Sequence, residues 1–435
     1  MPFTASEIFG LIDCNNFYVS CERLFRPDLT NRAVVVLSNN DGCIIARSNE
    51  AKALGIGMGT PYFKQEALIR KNKIAVFSSN YPLYGDISQR VMDVLMRLES
   101  EVEVYSIDEA FIRIPAGKHH DLKNHMCFLK ATVEKHTGIP VSIGLGPTKT
   151  LAKIANSFAK QDPSGAGIFI MPHKQHLDAL LATVDITDIW GIGRSHASRL
   201  KKQSVHTALE LTNQADSWIR KQLTVTGLRT AMELRGTPCI SLEKAAPSKK
   251  SICTSRSFGQ TVQSLADLQE AVATYTSQAA YKLRRAGLRT TVIDVFIRTN
   301  SFKRGEPQYC NRRTFTLETP SSHTGTLIKV ALASLKAIYR SGYRYQKAGV
   351  LLNGLVPENY EQLRLFSTPM SQTTPVMKAV DEINKRWGRD TIQAAAAGLA
   401  KGWRFRQLKK SPAYTTCWSE LPIVKASFPE SFSVA

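Results

Sequence analysis

The chain has 435 residues, 43% of them hydrophobic and 21% charged, which is ordinary for soluble proteins with a buried core and predicts two to four domains. Its net charge of +21 favours a polyanionic partner, nucleic acid before membrane, over the alternative of a merely soluble basic protein. The eight cysteines include no C-x-x-C pair and the nine histidines form no Cys/His metal pattern, which argues against disulfide-rich domains and zinc ribbons. The sequence also lacks an 18-residue apolar run, which argues against a membrane span. We therefore expect a cytoplasmic protein.

The first 160 residues predict a mixed sheet covered by helices. An apolar run at 8–12 predicts a buried strand that ends at Asp13, and 33–42 predicts a strand followed by a turn. Further strands are expected at 102–114 and 141–146. Helical spacing of apolar residues occurs at 48–54, 87–100 and 148–160. We therefore expect an α+β fold.

The rest of the chain divides into three stretches. Residues 175–236 predict short helices around the sequence WGIGR, and the polar, basic segment 243–251 predicts a linker. Residues 252–356 again mix strand and helix patterns. Across 245–358 there are 17 Lys and Arg against 6 Asp and Glu, a net +11, which favours a surface that follows phosphates.

Two adjacent acids, Asp108 and Glu109, lie inside the apolar sequence YSIDEAF. Burying unpaired anions is costly, so a metal ion, an Arg or Lys, or water must lie against them. Because strand side chains alternate between faces, a turn or bulge is needed for both to face one site. Together with Asp13 they could hold two Mg²⁺ ions for phosphoryl transfer. Separate surface acids or a salt-bridged pair are the alternatives.

Several long motifs carry a resemblance to a known family. They are LIDCNNFYVSCE (11–22), VVVLSNNDGCIIARSNEAKALGIGMG (34–59), FSSNYPLY (77–84), YSIDEAF (105–111) and GPTKTLAKIAN (146–156), followed by WGIGR, ELRGTPC (233–239), SRSFG (255–259), GYRYQKAGV (342–350) and SPAYTT (411–416). In this order they resemble Y-family, lesion-bypass DNA polymerases, and within them the UmuC branch, the catalytic subunits of bacterial DNA polymerase V. The resemblance covers nearly the whole chain.

The resemblance implies a right-hand polymerase with a mixed-sheet palm, small fingers, a helical thumb with a helix-hairpin-helix, and an α/β little finger. The domain boundaries that it implies are 1–31 and 77–174 for the palm, 32–76 for the fingers, 175–242 for the thumb, 243–251 for a linker, 252–356 for the little finger and 357–435 for a C-terminal tail. The short fingers imply an open active site and low fidelity.

The same resemblance implies the catalytic centre. Asp13, Asp108 and Glu109 would be catalytic and would bind two Mg²⁺ ions, with the backbone carbonyl of Cys14 as a further ligand. Tyr18, five residues after Asp13, would be the steric gate that excludes a ribose 2′-hydroxyl.

Three further residues would face the incoming deoxynucleoside triphosphate by resemblance. They are Asn49, Lys52 and Lys160. Many relatives outside this branch carry Tyr and Arg where this chain has Asn49 and Lys52. Lysine is a point charge without arginine's bidentate fork, so the phosphate contacts differ in detail.

The basic segment 188–205 predicts a helix, a Gly-Ile-Gly turn and a second helix. Gly191, Gly193 and Arg194 resemble a helix-hairpin-helix that holds primer-template DNA through its phosphates. An ordinary helix–helix corner is the alternative. The sequence GLGPTKT (144–150) looks like a phosphate-binding P-loop, but Thr148 replaces the required glycine.

The tail carries the short sequence QLRLF at 362–366. Gln362, Leu365 and Phe366 resemble the peptide that bacterial polymerases insert into a sliding clamp, and packing of a buried tail is the alternative. The resemblance also implies a cleaved UmuD-type dimer and RecA as partners, without assigning tail residues to either.

Together these features predict a Mg²⁺-dependent, error-prone DNA polymerase that performs translesion synthesis in the SOS response, associated with the nucleoid when active. Two other functions remain open. One is a non-catalytic DNA-binding accessory protein that uses the same basic surface. The other is a metal-dependent nuclease, since paired metals also serve hydrolysis.

Overall fold

The computed structural model describes residues 7–115, 121–162, 165–172, 174–243, 248–303, 305–359, 373–399 and 402–423. The chain forms two compact units. The first consists of Met1–Ser38, Cys43–Ala246 and Lys409–Ala435, and the second of Asn39–Gly42 and Pro247–Leu408. The helices within the described ranges are all too short or too polar to cross a lipid bilayer.

In its described residues, the first unit contains eight strands and ten α-helices. The strands are β1 (Glu7–Cys14), β2 (Val34–Leu37), β3 (Ile44–Arg47), β4 (Ala75–Ser78), β5 (Val102–Val104), β6 (Glu109–Pro115), β7 (Val141–Gly146) and β8 (Ile168–Ile170). The helices are α1 (Phe17–Phe25), α2 (Asn49–Ala53), α3 (Tyr62–Lys71), α4 (Tyr81–Leu98), α5 (Leu122–Thr137), α6 (Lys149–Ala159), α7 (Lys174–Thr183), α8 (Arg194–Lys201), α9 (Ala208–Thr212) and α10 (Asp216–Leu234).

Five strands form the main sheet in the order β5-β6-β1-β7-β8. The central strand β1 is antiparallel to both neighbours, and β8 is parallel to β7. Alternate side chains of β1 enter different cores: Ile8 and Ile12 pack with residues of α4 and α5, whereas Phe9 and Leu11 pack against Ala152 of α6. Burial on both faces explains why β1 is a continuous apolar run.

Helix α6 packs closely against the sheet because Gly144 has no side chain. A Cβ at this position of β7 would lie 2.1 Å from the backbone nitrogen of Asn156 and 2.4 Å from the carbonyl oxygen of Ala152. This contact fixes the distance between α6 and the strand ends, where the acidic residues lie.

A second, three-stranded sheet has the order β3-β2-β4, with β2 parallel to β4 and antiparallel to β3. Its small core includes Val35, Leu37, Ile44 and Ile69. Helices α7 to α10 share another core with α6, in which Leu151, Leu181, Leu200 and Ile219 are buried.

The second unit pairs an antiparallel sheet with two long helices. Its elements are β9 (Ile252–Val262), α11 (Leu265–Arg285), β10 (Leu288–Thr299), β11 (Cys310–Ser321), α12 (Thr324–Ile338), β12 (Tyr345–Pro357) and α13 (Thr373–Trp387). The strand order is β11-β10-β12-β9. Both α11 and α12 contribute to one core with the sheet, where Leu268, Leu283, Leu335 and Trp403 are buried.

The expected α+β fold is confirmed, and two details differ from the sequence prediction. Helix α4 begins at Tyr81 rather than at 87, because Pro82 stands in its first turn, where its missing N–H costs nothing. The segment 188–205 was expected to begin with a helix, but α7 ends earlier, at Thr183, and a 3-10 turn, Ile186–Asp188, stands between it and the glycines. The domain boundaries stay a prediction.

Candidate active site

Antiparallel pairing brings the predicted acids together across 95 residues of sequence. Asp13, near the end of β1, lies directly opposite Glu109, the first residue of β6. The next residue, Cys14, donates its backbone N–H to the carbonyl oxygen of Asp108 at 2.8 Å. Strand register alone therefore places Asp13 beside the acidic pair.

Asp108 lies in the turn before β6, as the alternation of strand side chains required. Ser106 builds this turn: its Oγ accepts hydrogen bonds from the backbone N–H groups of Asp108, at 3.1 Å, and Glu109, at 3.0 Å. The same hydroxyl donates to Oδ1 of Asp108 at 2.5 Å. Ser106 thus fixes the orientation of the Asp108 carboxylate.

Asp13 is buried, with 7% of the residue exposed, whereas Asp108 and Glu109 are partly exposed. Burial raises the pKa of Asp13 from 3.8 to about 6; Lys160 opposes this rise, and Glu109 and Asp108 add to it. A buried carboxylate next to two other acids attracts a cation.

Two lysines from the α6 region supply positive charge to these acids. Lys160 Nζ lies 2.7 Å from Oδ2 of Asp13. Lys153 Nζ donates to both carboxylate oxygens of Glu109, at 3.0 and 3.2 Å, and lies 4.6 Å from the ring centre of Tyr105. Sequence analysis missed Lys153, although its spacing of seven residues from Lys160 puts both on one helix face.

The carboxylates are oxygen donors of the kind that suits a hard divalent ion, and in the structure Lys160 pairs with Asp13 and Lys153 with Glu109. Within the described ranges, no three or more His, Cys, Asp or Glu side chains are close enough together to hold a metal ion. Asp13, Asp108 and Glu109 offer the oxygen ligands that Mg²⁺ prefers. Burial raises the pKa of the Cys14 thiol, which favours its neutral form, whereas the backbone carbonyl of Cys14 is an oxygen donor of the kind that Mg²⁺ prefers.

Tyr18 lies on α1, just after Asn16, whose left-handed backbone (φ 48°) turns the chain from β1 into the helix. Its half-buried ring stacks on Tyr84, with ring centres 4.5 Å apart and an angle of 16° between the planes. The edge of Tyr81 completes the contact at 6.0 Å. Burial raises the pKa of Tyr18 to about 12, so the hydroxyl is neutral at physiological pH.

Asn49 and Lys52 both lie on α2. Oδ1 of Asn49 accepts hydrogen bonds from Nδ2 of Asn16 at 3.1 Å and from Nζ of Lys52 at 3.2 Å. Burial, with Arg47 and Lys160 nearby, lowers the pKa of Lys52. Asn49 therefore links the turn before α1 to the basic residues around Asp13.

The P-loop-like sequence GLGPTKT has a structural role. Its Lys149 is buried, forms an ion pair with Glu103 and donates to the carbonyl oxygen of Ser241 at 2.9 Å. The backbone N–H of Glu243 also donates to Glu103, at 2.7 Å. Lys149 thus joins α6 to β5 and to the chain after α10.

At the glycine turn, Gly191 has a positive φ of 89° and Gly193 caps α8, whose first residue is Arg194. A concave surface beside this turn is lined by Thr187, Arg194, Ala197, Ser198, Lys201 and Lys202. Three of these six side chains are cationic, which suits a phosphate backbone. The predicted clamp-binding residues Gln362, Leu365 and Phe366 lie outside the described residues.

Comparisons with known sequences match three stretches of the chain. The impB/mucB/samB family matches residues 12–157, its C-terminal domain matches 249–365, and a domain of unknown function (DUF4113) matches 374–424. Protein UmuC of Salmonella typhimurium strain LT2 is 42% identical over 422 residues, which cover 96% of this chain and all of that protein. Protein ImpB of Salmonella typhimurium is 40% identical with the same coverage.

More distant relatives carry polymerase names. DNA polymerase IV of Corynebacterium diphtheriae is 30% identical over 51% of this chain and 49% of its own length. A Y-family DNA polymerase chimera, Dbh-Dpo4(243-245)-Dbh, matches the fold with a TM-score of 0.64 at 20% identity, covering 80% of this chain and 99% of its own. A Dbh ternary complex matches with a TM-score of 0.52 at 19% identity, covering 80% and 98%.

Proposed function

We propose that this chain, which belongs to the impB/mucB/samB family, is a DNA-directed DNA polymerase of the Y family. It would perform error-prone translesion synthesis in the SOS response. The support is the family membership together with the acids at the strand ends. The observation that carries the proposal is the register of β1 and β6, which sets Asp13 opposite Glu109 with Asp108 in the adjoining turn. In this proposal the three oxygen-donor side chains at this end of the sheet would form the acidic centre that nucleotidyl transfer needs.

In this proposal Asp13, Asp108, Glu109 and the carbonyl of Cys14 would hold two Mg²⁺ ions. Bound ions would stabilise the negative charge that develops during in-line phosphoryl transfer. Because the pKa of Asp13 is raised, its charged form is disfavoured, and any cation placed against the carboxylate would stabilise that form. Lys160 and Lys153 supply positive charge to Asp13 and Glu109, and Lys160 would also bind the triphosphate.

Tyr18 would select deoxyribose by steric exclusion of the 2′-hydroxyl. Its ring is held on one face by Tyr84, and a rigid wall discriminates better than a mobile one. Asn49, Lys52 and Lys160 would bind the triphosphate. Burial and the nearby cations Arg47 and Lys160 lower the pKa of Lys52, and an anionic ligand would stabilise its charged form.

Gly191, Gly193 and Arg194 would hold primer-template DNA by its phosphates, together with the concave surface beside them to which Lys201 and Lys202 contribute. Phosphate contacts supply affinity without sequence preference. A template-directed enzyme needs this division, since base pairing supplies the sequence. The palm, fingers, thumb and little-finger boundaries given above belong to the same proposal.

The partners in this proposal are a cleaved UmuD-type dimer, a RecA filament, and a sliding clamp bound through Gln362, Leu365 and Phe366. Tethering to a clamp would raise the local concentration of the enzyme at the primer end. An enzyme that acts with these partners would work in the cytoplasm and gather at the nucleoid after DNA damage. The support is the similarity to Protein UmuC over nearly the full length.

The test is primer extension by the full chain with Mg²⁺ and the four deoxynucleoside triphosphates, on undamaged and lesion-containing templates, with and without the accessory dimer and activated RecA. We expect template-directed extension past the lesion. A parallel reaction without triphosphates separates the rivals, because release of nucleotides from the primer would indicate a nuclease. Extension that depends on another polymerase in the mixture would indicate an accessory protein.

A further inference from the structure

The ring of Tyr18 is positioned by a second tyrosine. Tyr84, on α4, lies parallel to it at 4.5 Å and is fully buried, whereas Tyr18 is half-buried. Phe17, at 5.9 Å, and Tyr81, at 6.0 Å, also contact the Tyr18 ring but are steeply inclined to it, so the parallel ring of Tyr84 sets the plane of Tyr18. Offset stacking of this kind constrains both distance and tilt.

Tyr84 is in turn held by a buried acid. Its hydroxyl donates to Oε1 of Glu22 at 2.6 Å, and neither residue has any exposed surface. The second oxygen of Glu22, Oε2, is buried and has no hydrogen-bond partner among the described residues. Burying a carboxyl group this deeply in a core costs free energy. In this core the short hydrogen bond of Glu22 is the one that orients Tyr84.

The other partner of Glu22 comes from the far end of the chain. Ser411 donates from Oγ to Oε1 of Glu22 at 3.1 Å and accepts from Nδ2 of Asn80 at 2.9 Å. Asn80 immediately precedes α4, the helix that carries Tyr84. One C-terminal serine thus connects the acid beneath Tyr84 with the start of the helix.

The segment that carries Ser411 is firmly packed in the first unit. Ser78 donates its backbone N–H to the carbonyl oxygen of Lys409 at 3.0 Å, and Lys409 donates its own N–H back to Oγ of Ser78 at 3.0 Å. Farther on, Tyr414 stacks on Phe25 at 4.4 Å with an angle of 10°. Contacts on both sides of Ser411 therefore hold it in place.

We propose that Ser411, Glu22 and Tyr84 are positioning residues for sugar selection. The C-terminal segment 409–414, which lies within the stretch matched by a domain of unknown function, thereby helps to hold the ring of Tyr18 in place. The inference rests on the proposed role of Tyr18 as the steric gate. It assigns to this segment a part in choosing deoxyribose over ribose. The alternative is that the cluster only stabilises the fold.

The experiment measures the ratio of catalytic efficiency for a deoxynucleotide to that for the matching ribonucleotide, by single-nucleotide insertion with the full chain. Thermal unfolding of each variant is recorded alongside. Y18A sets the scale of the gate itself. S411A, E22A and Y84F each remove one link, and E22Q keeps an oxygen at Oε1 that accepts both hydrogen bonds. S419A is the matched control, because Ser419 is an exposed serine five residues beyond this segment.

We expect Y18A to lower the ratio most. S411A, E22A and Y84F should each lower it by about tenfold, since a displacement near 1 Å weakens a steric wall strongly. E22Q should stay within about twofold of the parent, and S419A should be unchanged. The ratio must fall through faster ribonucleotide insertion, a change that general destabilisation does not produce.

Two results would overturn the inference. If Y18A relaxes sugar choice but S411A, E22A and Y84F leave the ratio unchanged, Tyr18 is the gate and the C-terminal segment does not position it. If Y18A itself leaves sugar choice unchanged, the proposed role of Tyr18 fails and the inference fails with it. Should E22A not fold, Y84F and S411A decide the outcome, because each removes only a hydroxyl group.

Discussion

Replacing Asp13 by asparagine should make the protein more stable and inactive. Burial and the neighbouring acids raise the pKa of Asp13 from 3.8 to about 6. Because this pKa is raised on folding, the stability that Asp13 contributes is fully present below pH 3.8 and is lost as pH rises through about 6. At ~1.4 kcal/mol per pH unit, the charged carboxylate costs about 3 kcal/mol near pH 8. D13N removes this titration.

The assay is urea denaturation of the parent and D13N in EDTA at pH 4.5 and pH 8. The advantage of D13N should grow by ~2 kcal/mol between the two values, because most of the ~3 kcal/mol falls inside that window. The matched control is D86N, which removes an exposed carboxylate that pairs with Arg90 at 2.9 Å and should change stability by less than about 0.5 kcal/mol. A D13N variant that is less stable at pH 8, or a gap that does not change with pH, would refute the reasoning.

Three further outcomes follow from the contacts described above. G144A should lower the free energy of unfolding by about 3 kcal/mol, because its Cβ would lie 2.1 Å from the backbone of α6. The control G85A should raise it by ~0.5 kcal/mol, because Gly85 is an exposed residue of α4 and its added Cβ would have nothing within 4 Å. Equal effects of the two substitutions in urea denaturation would contradict this. K149M should lower the free energy of unfolding by about 4 kcal/mol, because it leaves Glu103 buried without its cation. The K149M/E103L double variant should recover much of this loss. A double variant less stable than K149M would contradict the pairing. R194Q should reduce the slope of log affinity for primer-template DNA against log salt by about 1; an unchanged slope would remove Arg194 from the DNA surface.

The parts of the site that follow from local pattern could be predicted from the sequence. An apolar run that ends in Asp13 predicts a buried strand with a carboxylate at its end, and the adjacent acids of YSIDEAF require a turn because strand side chains alternate. Both features are present, with Asp108 in the turn and Glu109 opening β6. The pairing of the two strands required the family resemblance.

The parts that depend on long-range packing could not be predicted in this way. Lys153 pairs with Glu109 only because Gly144 lets α6 approach the sheet. Ser411 meets Glu22 from 389 residues away, and no local periodicity marks either residue. The start of α4 was missed because a proline and a glycine in its first turns look like helix breakers until the position of the proline is known.

The most direct measurement of the central claim is single-nucleotide incorporation under single-turnover conditions with Mg²⁺ by the parent, D108A and E109A, with D86A as control. We predict that D108A and E109A bind primer-template DNA normally but incorporate the nucleotide at least about a thousandfold more slowly, while D86A matches the parent. Incorporation at the parent rate by either D108A or E109A would contradict the account.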